Sequence, residues 1–131
     1  MATGRCQCGA IRYEARGEPV YSALCHCADC RRSAGAPMVG WALFAQEDLT
    51  ISAAPVLYPS SENATRHFCG KCGTGLFYTN PVTFPGMVDI QTATFDDQSL
   101  FPPVIHVQYV EAAPWMENVH NLPKFDRYPE A

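Results

Sequence analysis

No apolar run in this sequence approaches the roughly 20 residues that a membrane-spanning helix needs, so a helical integral membrane protein is excluded. The opening residues, MATGRCQCGA, lack the basic segment followed by an apolar stretch that marks a secretory leader. The expectation is therefore a chain that stays in the cytoplasm. Positive charge is also scarce. Nine Lys and Arg face thirteen Asp and Glu, for a net charge of −4, and Arg31-Arg32 is the one basic cluster. Nucleic-acid binders carry a broader basic footprint, and an acidic chain has no attraction for anionic lipid. Neither is expected as a partner. The nucleophile-elbow, phosphate-loop and dinucleotide-binding glycine patterns are missing as well, and with them the chemistries they serve.

What is present describes a small folded protein. Its 131 residues fit a single domain spanning 1–131. An apolar fraction of 47% with 17% charged residues belongs to a globular chain and not a disordered one. Eleven prolines and nine glycines punctuate short strand-like runs. These runs are Ile11 to Ala15, Met38 to Phe44, Leu49 to Ser52, Val56 to Pro59, Thr65 to Phe68, Gly75 to Thr79, Val88 to Phe95 and Ile105 to Val110. Val88, Ile90 and Thr92, and likewise Ile105, Val107 and Tyr109, repeat with the period of two that places residues on one strand face. A short helix is expected over Ala28 to Ala34 with Gly35 as its stop, and a turn of helix over Asp96 to Leu100. The fold class that follows is all-β, with antiparallel strands and short helical turns.

Seven cysteines stand out against this background. An odd count fits a fully paired disulfide framework poorly, and a reducing compartment disfavours one. Their spacing points to metal. They form three groups: Cys6 and Cys8; Cys25, Cys27 and Cys30; Cys69 and Cys72. Tetrahedral zinc holds sulfurs about 3.8 Å apart, which residues separated by one or two positions supply at little entropic cost. Gly9, Gly70 and Gly73 flank the outer groups where tight or left-handed backbone is needed. Cys6, Cys8, Cys69 and Cys72 are thus expected to close one four-thiolate site. Buried free thiols are the plainer alternative, and glycines that pack nothing count against them.

The middle group leaves three thiolates, Cys25, Cys27 and Cys30, and a zinc with three protein ligands keeps a position open for chemistry. Two alternatives stay open from spacing. His67 or His106 closes this site as a fourth ligand, or the middle group contributes to the first site. His26 alternates with its neighbours and should point away. Three thiolates on a dication make a poor carbonyl polariser but a good environment for a nucleophilic thiol. The favoured chemistry is addition of a small thiol to an electrophilic carbon, or the reverse cleavage. Arg31 and Arg32, directly after the third ligand, are candidates to bind the carboxylates of a thiol such as glutathione, or else a solvated surface pair. Asp29 is expected to cap the helix.

The segments Gly4-Arg5-Cys6-Gln7-Cys8-Gly9, CHCADCRRSAG (Cys25 to Gly35) and FCGKCGTGL (Phe68 to Leu76) resemble the glutathione-dependent formaldehyde-activating enzyme family. VDIQTATFDD (Val88 to Asp97), Pro114-Trp115 and LPKF (Leu122 to Phe125) extend the resemblance over nearly the whole chain. Arg5 and Ala93 depart from it, each standing where the family often has glycine. The resemblance implies a β-tent fold, a structural zinc on Cys6, Cys8, Cys69 and Cys72, and a catalytic zinc on Cys25, Cys27 and Cys30. It also implies condensation of formaldehyde with glutathione, a carbon–sulfur lyase reaction. A zinc-stabilised binding module without activity is the alternative. A redox enzyme of the methionine sulfoxide reductase kind is disfavoured, because no cysteine follows Cys72.

Overall fold

The computed structural model describes residues 1–129; the last two residues of the expected 1–131 domain lie outside the described residues. Ten strands and one short α-helix make up most of the regular structure among these residues. In chain order they are β1 (Ala2–Arg5), β2 (Arg12–Ala15), β3 (Ser22–Cys25), α1 (Ala28–Ala34), β4 (Val39–Ala45) and β5 (Leu49–Ile51). Then come β6 (Val56–Pro59), β7 (Thr65–Phe68), β8 (Gly75–Thr79), β9 (Met87–Gln91) and β10 (Ile105–Val107). Single turns of 3₁₀ helix at Gln46–Asp48, Thr92–Thr94 and Tyr109–Glu111, and a longer one at Pro114–Asn121, complete the chain. The all-β expectation holds.

Two sheets result. A three-stranded sheet has the order β1-β2-β5, and a seven-stranded sheet the order β10-β3-β4-β9-β8-β7-β6. The strand pairs are antiparallel except for β10 with β3, which is parallel. Tyr13 and Ala15 of β2 are buried while Arg12 and Glu14 are exposed, the alternation of a half-buried strand. They meet Ala42 and Phe44 of β4, Phe77 of β8 and Val88 and Ile90 of β9 in the main core. Edge-on ring contacts fix that core, with Tyr13 5.2 Å from Phe77 and Phe44 5.5 Å from Phe101, centroid to centroid.

The central strands are covered on both faces. Val88, Asp89 and Ile90 are all buried, where simple alternation would leave one side wet. Val88 and Ile90 face the small sheet. The opposite face carries Trp41 and Val39 of β4 with Cys25 of β3 and Cys30 of α1, a second and smaller cluster.

Some boundaries differ from the sequence expectation for identifiable reasons. The run Val88 to Phe95 breaks after Gln91, because the Thr94 hydroxyl donates to the Gln91 carbonyl at 2.7 Å and meets the Tyr13 hydroxyl at 2.7 Å. The expected strand to Val110 ends at Val107, since Gln108 is left-handed at φ 54°. Asp96 to Leu100 forms a turn and no helix: the Asp97 carboxylate accepts both the amide and the hydroxyl of Ser99. β1 and β3 lay unmarked in the sequence, being four residues each and built of small side chains around one or two apolar ones.

Candidate functional site

The first cysteine group is assembled by two turns, one from each sheet. Cys6 ends the β1 side of a loop in which the Gly9 amide donates to the Cys6 carbonyl at 3.1 Å. Between β7 and β8 the Gly73 amide donates to the Cys69 carbonyl at 2.8 Å. Both glycines are left-handed, at φ 80° and 84°, which a side chain would resist. Gly70 is different: its φ is ordinary, and an added Cβ would come within 2.7 Å of Val56, so it serves close approach.

The sulfurs of Cys6, Cys8, Cys69 and Cys72 lie within 4.8 Å of one another, as the spacing predicted. Cys6–Cys8 and Cys8–Cys69 are 3.7 and 3.8 Å apart, close to the edge of a tetrahedron around zinc. Backbone amides of Ile11 and Lys71 point at Cys6 and Cys69, and the Thr74 hydroxyl lies 3.2 Å from Cys72. Hydrogen bonding from Thr74 pulls the Cys72 thiol down to about 5. Cys8 is pushed up to about 11: the Ala10 amide favours its thiolate, but burial and the sulfurs of Cys6, Cys72 and Cys69 outweigh it. Four sulfurs this close can all be thiolates only around a cation. The donor set fits zinc.

The second group sits on the other face of the large sheet. Cys25 ends β3, Cys27 is the N-cap of α1, and Cys30 lies in its first turn. The Cys27 sulfur accepts the Cys30 amide at 3.3 Å, so Cys27 caps the helix in place of the expected Asp29. Gly35 closes the helix, its amide donating to the Arg31 carbonyl at 2.8 Å. The three sulfurs lie within 4.8 Å of one another, with no histidine nitrogen or carboxylate oxygen joining them among the described residues. His26 points away and is hydrogen-bonded through Nε2 to His106 Nδ1 at 2.8 Å. His67 Nε2 pairs with the Thr79 hydroxyl at 3.0 Å. These three histidines are thus engaged elsewhere.

Charge in this group is uneven. Cys30 is drawn down to about 5, first by hydrogen bonding from Cys25 and, against burial, also by Cys27 and the Arg66 guanidinium. Arg66 Nη2 lies 3.7 Å from the Cys30 sulfur while its guanidinium stacks on Tyr78 at 5.2 Å. Cys25 is driven up, chiefly by hydrogen bonding to that Cys30 thiolate and by burial; Cys27 is raised by burial first. Three sulfurs this close can all be thiolates only beside a cation. A soft dication suits them.

These sulfurs open onto a cavity of about 340 Å³ walled by Trp41, Tyr78, Phe84 and Val107, with Arg66 and Asp89 also lining it. Asp89 is 5% exposed, its Oδ1 has no hydrogen-bond partner, and burial followed by the Cys30 charge pushes its carboxyl up to about 7. A neighbouring cleft of about 490 Å³ shares Asp29 and Arg66 as walls and adds Arg32, Tyr58 and Ser60. Arg32 faces this cleft, and Arg31 and Arg32 together line a further hollow with Gly35, Pro37 and Trp115. Asp89 and Arg66 escaped the sequence reading, because a single Asp or Arg in a strand carries no spacing signal.

One closed and one open cysteine cluster, each with a donor set that could hold a metal ion, thus sit on a mostly β fold. The profile of the family described as "Glutathione-dependent formaldehyde-activating enzyme" matches residues 1–111, and the chain belongs to that family. An uncharacterised lyase of Schizosaccharomyces pombe is 30% identical over 72% of this chain and 74% of its own length. A Halomonas elongata protein provisionally named a glutathione-dependent formaldehyde-activating enzyme is 27% identical over 89% of this chain and 80% of its own. The crystal structure of a Rhodobacter sphaeroides protein shares the fold with a TM-score of 0.63 at 22% identity, covering 80% of this chain and 99% of that one. No helix among the described residues is long and apolar enough to cross a membrane.

Proposed function

We propose that the chain is a zinc enzyme of the carbon–sulfur lyase type that adds glutathione or a similar small thiol to formaldehyde or a related small electrophile, and runs the reverse cleavage. The observation that carries this reading is the opening of the Cys25, Cys27 and Cys30 sulfurs onto a cavity, while Cys6, Cys8, Cys69 and Cys72 close on one another. In this reading the closed set holds a structural zinc and the open set a catalytic one.

Zinc bound by three thiolates would lower the pKa of a thiol beside it and leave the sulfur nucleophilic. The chain's own residues do the rest. Cys25, Cys27 and Cys30 present three donors from the end of β3 and the first turn of α1. Arg66 offsets the surplus negative charge of that set. Trp41, Phe84 and Val107 keep water from the reacting carbon. Arg32 and Arg66, with Arg31 beside Arg32 at the adjoining hollow, offer cationic partners to the carboxylates of the thiol. Residues 1–131 act as one domain, in a reducing compartment such as the cytoplasm where thiolates persist.

Purified without chelator, the protein should carry one zinc for each of the two cysteine groups. Cys27→Ser should keep the fold and one zinc and lose glutathione-dependent consumption of formaldehyde. Full activity in that variant refutes the proposal, and so does a wild-type protein holding zinc in the closed set alone.

A further inference from the structure

Asp89 occupies the middle of β9, paired with Leu43 of β4 on one side and Tyr78 of β8 on the other. Hydrogen bonding to both neighbours fixes its backbone. The side chain falls on the sheet face that carries Trp41, Cys25 and Tyr78, and it lines the same cavity as the three sulfurs. It is 5% exposed, and its Oδ1 has no hydrogen-bond partner among the described residues. The arginine that lines this cavity is engaged: Arg66 reaches toward Cys30 and stacks on Tyr78. A buried carboxyl oxygen left unpaired is costly, and an apolar residue at this position would pack with less penalty. Such a group is understandable where a ligand completes it.

The ligand must bring a hydrogen-bond donor to the wall of a cavity whose other feature is a set of sulfur donors. We infer that Asp89 receives the oxygen end of the substrate, the hydroxyl borne by the carbon next to sulfur in a thiol–aldehyde adduct. This inference rests on the function proposed above and deepens it. In the forward direction the S–H bond of the thiol breaks, a C–S bond forms, and the carbonyl C=O becomes C–O–H. The proton leaving sulfur ends on that oxygen, with no net change in oxidation. Asp89 is the group placed to accept the resulting O–H as a hydrogen bond and to hold the proton during transfer. Its counterpart role in cleavage is to take that proton back. A thioether lacking the hydroxyl leaves Asp89 unpaired, so the cavity selects against it.

The test compares two stable probes by calorimetry on the zinc-loaded protein: S-(2-hydroxyethyl)glutathione, a homologue whose hydroxyl lies one carbon beyond that of the adduct, and S-ethylglutathione. Wild type should bind the hydroxylated probe about tenfold more tightly, as a hydrogen bond to a charged group would give. Asp89→Leu, close in shape, should abolish the preference with its zinc content unchanged. Should Asp89→Leu fail to fold, Asp89→Asn must reduce the preference at least threefold. No preference in wild type, or a preference that survives either folded variant, overturns the inference. Turnover of glutathione with formaldehyde by the same wild-type sample separates the two claims. Turnover without discrimination sinks the role of Asp89 alone. A sample that neither binds the probes nor turns over sinks the proposed function and this inference with it.

Discussion

Arg66 and Cys30 show how single side chains set the character of the open cluster. The guanidinium stabilises the one sulfur that ionises most readily, and Tyr78 holds it in place by stacking. Arg66→Met keeps the stem and removes the charge. It should raise KM for glutathione several-fold with little change in thermal midpoint, as steady-state kinetics beside a thermal melt would reveal. Asp89 makes a second, pH-dependent contribution. Its folded-state pKa is raised from the ordinary carboxyl range to about 7 by burial and the Cys30 charge. The fold therefore prefers the protonated form, and stability falls as pH rises from about 4 to about 7, then levels off. Asp89→Asn should lack that slope, so its midpoint advantage over wild type should grow across this window. Parallel melts from pH 4 to 8 measure it. Neither residue was legible in the sequence, because burial and proximity, which give them their properties, have no linear signature.

The short elements carry more of their own information. The knuckle loops announce themselves through cysteine spacing and glycine, and the structure builds them where expected. Gly73 takes φ 84° with nothing within 4 Å of a would-be Cβ, so backbone strain alone opposes substitution. Gly73→Ala should cost about 1–2 kcal/mol in denaturant unfolding and weaken retention of the first zinc. Strands β6, β7 and β8 coincide with their sequence runs because turn residues bound them tightly. The run from Val88 lost its second half to threonine hydroxyls that bond backbone and Tyr13. The helix was foreseen, its cap was not: Asp29 was expected to cap it, and the Cys27 sulfur does so by accepting the Cys30 amide. A sulfur that caps a helix and points at its neighbours is held twice over.

At the scale of the molecule, the closed cluster is a clamp between sheets. Cys6 and Cys8 follow β1 of the small sheet, and Cys69 and Cys72 lie between β7 and β8 of the large one. A metal held there would contribute folding energy, since an unfolded chain has no such site. The open cluster joins only β3 and α1, which are near in sequence. Chelation should proceed in two stages. Zinc leaves the open site first with the far-ultraviolet spectrum of the sheets intact, and loss of the closed-site zinc then lowers the unfolding midpoint sharply. A colorimetric zinc assay run alongside circular dichroism follows both. Simultaneous loss of both metals with no change in stability would contradict the clamp.

Residue order alone determined the all-β class, the three local groups of cysteines, and the chemistry that thiolates favour. Those properties depend on local spacing and residue type, which survive in one dimension. Only the tertiary structure decided that the cysteines divide into sets of four and three, that both faces of β9 are covered, and that Arg66 and Asp89 join the cavity. Strand pairing brings residues 25, 66 and 89 together across loops whose lengths leave no trace in the pattern. Their charges matter only because packing has removed the water between them.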